Sequence, residues 1–211
     1  MISYYRDRAK EYEKIYDKPE RQDDLKKITG ILQGIFNGEE VFEIACGTGY
    51  WTERIARAAR KIHATDINEA VLEVADSKSY FPAEVKFSVA DIFHLSLKIK
   101  YGTLFGGFIW SHIRVQDLQR FLDIIFQKVS ARGTIVFLDN QYIEGSSSPV
   151  TFTDKQGNTY QTRKLENGKT YEVLKNFPDE NFIRDLFRDK QGNLQYIKLD
   201  YYWLVIFKID Q

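Results

Sequence analysis

Apolar residues recur along this chain with two different periods, and the switches between them outline its architecture. Residues 3–17, with tyrosines at 4, 5, 12 and 16, read as a helix. Pro19 can open a second helix at its first turn. That helix runs to about residue 36, with Leu25, Ile28, Ile31, Leu32 and Ile35 on one face, and Asn37-Gly38 stops it. Apolar runs at 41–45, 61–65, 85–90, 101–105 and 134–138 read as strands, the last entered through Gly133. Helix-period segments at 51–59, 69–78 and 118–129 stand between them. Strand and helix therefore alternate over 41–139, which implies right-handed βαβ units and a parallel sheet covered on both faces.

The rhythm changes after residue 139. Gly145-Ser-Ser-Ser-Pro149 and the turns at Gln156-Gly157-Asn158 and Asn167-Gly168 separate short β-prone runs, which predicts a hairpin-rich excursion over 140–178. Residues 179–188 return to a helix. The runs 194–199 and 202–209 are too close in sequence for a parallel crossover and should pair antiparallel. The expected organisation is one domain of 211 residues, made of a helical segment (1–37), a βαβ core (41–139), an insertion (140–178), and a final helix with an antiparallel strand pair (179–211).

Composition narrows the partners. Thirty basic and thirty acidic residues cancel, which argues against a nucleic-acid binder driven by phosphate contacts. No window approaches the roughly 18 apolar residues of a membrane span, and the charged N-terminal stretch has no signal-peptide core. The single cysteine, Cys46, permits no internal disulfide. A soluble cytoplasmic protein is expected, with a small-molecule partner, no membrane and no metal site.

The candidate chemistry starts at Glu43-Ile44-Ala45-Cys46-Gly47-Thr48-Gly49, where a strand meets a small-residue turn and then a helix. Such a loop lets the backbone approach a ligand at the carboxyl edge of a parallel sheet. Nicotinamide and flavin sites favour G-x-G-x-x-G, with pyrophosphate on the helix N-terminus. Here Thr52 occupies the third glycine position, and Glu43 lies where pyrophosphate sites avoid negative charge. A carboxylate at 43 suits a cationic ligand without phosphates.

The same run resembles the first motif of class I S-adenosylmethionine (SAM)-dependent methyltransferases, and the resemblance extends over about 41–139. It implies a Rossmann-like fold with a seven-stranded, mostly parallel sheet and an antiparallel last strand, SAM as cofactor, and methyl transfer to an N or O atom of a small acceptor. Residue by residue, it implies that Glu43, Ala45, Cys46, Gly47, Thr48 and Gly49 form or hold the cofactor loop. Asp66, 19 residues after Gly47, accepts the ribose hydroxyls, with Ile67 beside it. Asp91-Ile92 flank the adenine. Gly107 and Phe108, within Gly106-Gly-Phe-Ile-Trp-Ser-His112, line the transfer cleft. The sequence departs from the family at Ala45, where glycine is frequent, and at Gly102, where an acid often opens the fourth strand.

His112 is the histidine that the resemblance places in the cleft, as a base that takes a proton from the acceptor or as a group that orients it. His63 and His94 read as structural, and Cys46 as a turn filler. Tyr12 and Tyr16 fit a helix that lids the cofactor and meets the acceptor, and Arg21 could hold the cofactor carboxylate. The insertion at 140–178 falls where the family builds substrate caps. With it, Trp110, Tyr142 and Arg163 are expected at the acceptor. Two rival functions fit the same features: a nicotinamide-dependent oxidoreductase, and a SAM-binding partner without catalysis.

Overall fold

A computed structural model describes residues 2–95 and 99–210. Its centre is a seven-stranded sheet. Five strands, β1 (Glu40–Ile44), β2 (Lys61–Asp66), β3 (Glu84–Val89), β4 (Tyr101–Gly107) and β5 (Val129–Asn140), run parallel. Among the later strands, β9 (Gly192–Lys198) and β10 (Tyr202–Ile209) pair antiparallel, and β10 also pairs antiparallel with β5. The spatial order is β3-β2-β1-β4-β5-β10-β9. The chain steps outward from β1 to β3 and then returns to place β4 on the other side of β1. The carboxyl ends of β1 and β4 therefore flank the point where the winding reverses, which is where open α/β sheets bind ligands.

Two apolar layers clamp the sheet. One joins Leu25, Ile28 and Leu32 of α2 (Gln22–Ile35), Trp51 and Ile55 of α3 (Tyr50–Ala56), and Leu72 of α4 (Glu69–Asp76) to inward residues such as Val41, Ile62 and Leu204. The other joins Phe121, Leu122 and Ile125 of α5 (Leu118–Lys128) and Ile183 of α6 (Glu180–Leu186) to Phe42, Leu104, Phe137 and Val205. Alternate strand residues point to opposite faces, so strands buried on both sides are mainly apolar, as β1, β4 and β10 are, with Glu43 and Thr103 as buried polar exceptions. Among the described residues no helix is long and apolar enough to cross a membrane.

Two segments differ from the pattern expected of them. The first helix is α-helical only over α1 (Ile2–Arg8) and continues as a 3-10 helix over Ala9–Tyr16. Such a run is long for a 3-10 helix, and side-chain bonds to the core hold it. Thr48 donates to Glu13 at 2.6 Å, and Lys78 also pairs with Glu13. Strand β5 begins at Val129, with Gly133 inside it rather than at its entry. A Cβ at Gly133 would stand 2.4 Å from the Val129 side chain and 2.8 Å from the Gly102 carbonyl, so two glycines let the strands close around a register shift between Tyr101 and Thr103.

Residues 152–174 form a separate antiparallel sheet of β6 (Phe152–Thr153), β7 (Thr159–Lys164) and β8 (Thr170–Leu174). It packs on α1 through Tyr4, Leu165 and Val173. Asp7 of α1 accepts from Lys169 Nζ at 2.7 Å and from the Tyr171 hydroxyl at 2.6 Å. Asn176 ties the other end of this sheet to the turn after β4, donating from its backbone to Ser111 O at 2.8 Å and from Nδ2 to Ile113 O at 2.9 Å.

Candidate active site

Two cavities meet at the carboxyl edge of the sheet. The first, of about 250 Å³, is walled by Ala45, Gly47 and Thr48 of the loop after β1, by Asp66, Ile67 and Asn68 after β2, by Ala90–Phe93 after β3, and by Gly107–Ile109 after β4. Ile2, Tyr5 and Tyr12 close it from the N-terminal segment. The loop after β1 is bent sharply. Ala45 sits at φ 51°, in the left-handed region where only glycine is unstrained, and Gly47 and Gly49 follow at 56° and 80°. A Cβ on Gly47 would meet no atom within 4 Å, so this glycine keeps space open in the cavity wall.

Asp66 anchors that loop. Its Oδ2 accepts from the Gly47 N–H at 2.9 Å and its Oδ1 from the Asn68 N–H at 2.9 Å. Burial raises its carboxyl above the usual range, and the N–H groups of Asn68, Gly47 and Ile67 work against that rise. Asp91 accepts from the Phe93 N–H at 2.9 Å and bonds the His94 ring at 2.8 Å. Burial pushes Asp91 up, but His94 and the Phe93 N–H together leave it below the ordinary carboxylate value.

The second cavity, of about 300 Å³, lies between the N-terminal segment and the small sheet. It shares Tyr5, Tyr12, Phe108 and His112 with the first, and these four side chains stand where the two cavities adjoin. Phe108 is held at φ 59°, its N–H donating to Leu138 O at 2.6 Å. His112 has both ring nitrogens engaged. Nδ1 faces the Leu174 carbonyl at 2.6 Å and must carry the proton, so Nε2 accepts from the Tyr5 hydroxyl at 2.6 Å. Burial, reinforced by the nearby Lys175, lowers the His112 pKa to about 3, so the ring is neutral at physiological pH. Lys175 donates to Ser111 Oγ at 2.6 Å and to Asp139 Oδ1 at 3.0 Å. Asp139 also accepts from the Ser111 N–H and hydroxyl and from the Asn140 N–H, and these bonds fix the ion pair in the cavity floor.

Several expected site residues lie outside the lining of the first cavity, Glu43, Cys46 and Gly49 as parts or supports of its loop and the others farther off. Glu43 lies behind the loop, buried and outside the cavity wall, with Oε2 lacking a partner. Burial raises its pKa to about 8, with Thr52 opposing and Asp66 adding, which favours the uncharged acid near neutral pH. Cys46 is also behind the wall, its thiol pushed up by burial. Gly49 is the left-handed residue before α3, and a Cβ there would stand 2.3 Å from the Tyr80 hydroxyl. Arg21, expected at the cofactor, lines the second cavity instead, bonded to Ser146 and Asn140. Tyr16 stacks on Tyr50 at 3.5 Å in the core. Trp110 is a core residue against Phe121, Phe137, Phe187 and Trp203. Tyr142 is exposed, lines neither cavity, and packs on Phe177, which lines the second. Each of these aromatic rings found apolar partners, and the sequence pattern does not separate a ring at a ligand from a ring in the core.

Ala45, Gly47, Thr48, Asp66, Ile67, Asp91, Ile92, Gly107, Phe108, Tyr12 and His112 do come together around the first cavity, and Arg163 lines the second. Sequence reasoning missed Tyr5, Glu13 and Asp139. Asp139 was legible, because it ends a strand of the parallel sheet just as Asp66 does. Tyr5 and Glu13 carried no signal, since contacts distant in sequence give them their roles.

Comparison with known proteins supports the fold. Residues 41–133 match the model of a family described as a methyltransferase domain. Malonyl-[acyl-carrier protein] O-methyltransferases of Bacillus cereus and Bacillus anthracis are 31% and 30% identical over 101 residues, which is 46% of this chain. The match covers 36% of each relative's length, so the chain spans only about a third of the curated relatives it matches. Among solved structures, DhpI in complex with SAH (S-adenosylhomocysteine) superposes with a TM-score of 0.80 at 19% identity, covering 99% of this chain and 95% of that one. A SAM-dependent methyltransferase from Clostridium acetobutylicum gives 0.67 at 17% identity, covering 96% and 99%.

Proposed function

Because residues 41–133 match a methyltransferase domain, we propose that the chain is a class I, SAM-dependent methyltransferase that binds SAM in the first cavity and transfers its methyl group to a small molecule held in the second. The observation that carries this reading is the junction of the two cavities at Tyr5, Tyr12, Phe108 and His112. A donor on one side can there face an acceptor on the other, with water excluded by aromatic rings. The wall suits the cofactor: Ile67, Ile92 and Phe93 offer apolar surface to a base, Asp66 offers acceptors to a ribose, and the loop after β1 keeps its backbone open. Bound SAM supplies an electrophilic methyl group on a sulfonium. The protein contributes alignment and exclusion of water.

Of the two roles for His112, orientation of the acceptor side is the better supported, because Nδ1 is committed to Leu174 and Nε2 to Tyr5. The N-terminal segment acts in this reading as a lid, and residues 140–178 act as the cap over the acceptor. An oxygen acceptor gains support from the O-methyltransferase relatives. A cytoplasmic setting belongs to the same proposal.

Calorimetry with SAM, SAH and NAD tests the donor. SAM and SAH should bind and NAD should not, and a substrate screen should convert SAM to SAH. Asp66→Ala should weaken SAM by roughly ten- to a hundredfold, as expected for a lost charged hydrogen-bond acceptor worth about 1.5–3 kcal/mol. Tight NAD binding with no SAM binding would overturn the reading.

A further inference from the structure

The chain is neutral overall, yet its second cavity is strongly one-signed. Arg8, Lys14, Lys18, Arg21, Arg163 and Lys175 line it, and among the described residues no aspartate or glutamate does. Two of these cations have carboxylate partners: Lys175 has Asp139, and Lys14 has Glu166 at the exposed rim. The others are bonded to neutral groups. Arg163 donates to Ser148 Oγ at 2.6 Å and Gln161 Oε1 at 2.5 Å. Arg21, itself buried, donates to Ser146 Oγ at 2.9 Å and Asn140 Oδ1 at 3.2 Å. Arg8 bonds the Tyr4 hydroxyl, and Lys18 bonds Ser146 O. Glu20 partly offsets Lys18 and Arg21 through space, and its carboxylate accepts from the Ser146 hydroxyl at 2.8 Å rather than from either cation.

Cations gathered in a partly buried wall with fewer counter-charges than their number repel one another and lose hydration. The strain is visible in their acidities. Burial, then the neighbouring Arg21, lowers the Lys18 pKa, and burial lowers that of Arg163. An anion entering the cavity removes both costs. The guanidinium groups of Arg21 and Arg163 add planar forks suited to a carboxylate or phosphate edge. Lys175 brings the positive field to the junction of the cavities, its Nζ 6.0 Å from the centre of the Phe108 ring.

At this junction His112 and Tyr5 offer no free base. His112 has one nitrogen protonated toward Leu174 and the other occupied by the Tyr5 hydroxyl. The Tyr5 hydroxyl is a poor base precursor as well, since burial raises its pKa. A nucleophile that must shed a proton finds no free acceptor on these two side chains, whereas an oxyanion arrives already deprotonated.

We propose that the second cavity binds a small organic acid through its carboxylate, phosphate or phosphonate group, and that the methyl group goes to an oxygen of that same group. The donor side of this inference rests on the SAM reading above; the anion side does not. In the step, an oxyanion lone pair forms the O–CH3 bond while the CH3–S bond breaks, and its electron pair remains on sulfur. SAM becomes SAH, the acid loses one negative charge as its ester forms, and no proton is released.

The test separates the two halves. Binding of methylphosphonate, inorganic phosphate and acetate is measured by calorimetry with and without saturating SAH, against choline and ethanol as cationic and neutral controls. At least one oxyanion should bind while the controls do not, and binding should weaken as salt rises. Comparing acetate with methylphosphonate assigns the acid type. Arg163→Gln should weaken the oxyanion tenfold or more with SAH affinity unchanged, and Arg163→Lys should restore part of it. With methyl-labelled SAM and a bound acid, the label should appear in an ester, without acidification of a weakly buffered solution. Equal binding of choline or ethanol, or oxyanion affinity unchanged in folded Arg163→Gln, overturns the anion site. Label on nitrogen or on an alcohol oxygen overturns the site of transfer. Oxyanion binding without any SAH binding would retain the anion site and sink only the donor.

Discussion

His112 illustrates how a single residue's surroundings outrank its intrinsic chemistry. An unperturbed histidine would impose a fall in rate near pH 6.5, but burial and Lys175 hold this one neutral down to about pH 3. The rate–pH profile should therefore show no inflection near 6.5 from this ring. His112→Ala should chiefly raise the Michaelis constant for the acceptor, with turnover falling less than the roughly 10²-fold of a lost general base. Glu43 makes the opposite case. Its pKa, raised to about 8 by burial, lies above the unfolded value, so its contribution to stability is complete below about pH 4.5 and is lost as pH rises through 8. The loss amounts to at most about 1.4 kcal/mol per pH unit. Glu43→Gln keeps the shape and removes the titration, so denaturant midpoints measured at pH 6 and pH 9 should differ less in the variant than in the wild type. Equal losses would place the titrating group elsewhere.

Between elements, the decisive contacts join α1 and its 3-10 extension to the small sheet. Asp7 bonds Lys169 and Tyr171, which together hold its carboxyl well below the usual range. A carboxyl held low keeps its bonds at mildly acid pH, and the linked stability is lost only as pH falls toward its folded value. Asp7→Ala removes both bonds. Amide hydrogen exchange should speed up over residues 2–16, and SAH should dissociate faster, while β9 and β10 at the far edge keep their protection. Unchanged exchange in the N-terminal segment would mean that Tyr4, Leu165 and Val173 suffice to hold it.

For the whole molecule, the first cavity draws its walls from four strand ends and from the N-terminal segment, which are distant in sequence and assembled only in the native state. A ligand bound there should stabilise the fold by mass action, by about 2.7 kcal/mol at a hundredfold excess over its dissociation constant. For a domain of this size that corresponds to a rise of roughly 5–10 °C in melting temperature, which scanning calorimetry with SAH would detect. NAD at the same concentration should leave the midpoint unmoved.

The sequence by itself determined what is written in local pattern. The period-2 and period-3.6 runs, with their glycine and asparagine stops, placed five parallel strands and the helices between them, and the short link before residue 202 forced the antiparallel pair. The loop at Ala45–Gly49 and the acids at 66 and 91 were legible because strand ends in a parallel sheet converge on one edge, so spacing along the chain translates directly into position. Tertiary structure alone decided matters that depend on which distant side chains meet. Tyr16 and Trp110 became core rings while Tyr5 and Tyr12 became cavity walls, because aromatic residues look the same in sequence whether they face apolar partners or a ligand. Glu43 became a neutral buried acid because desolvation is set by what packs around it. A chain of balanced charge acquired a positive cavity because the fold gathers Arg8, Lys18, Arg21 and Arg163 from segments far apart and bonds them to neutral groups, while Lys175 alone among the described buried cations meets a carboxylate, Asp139.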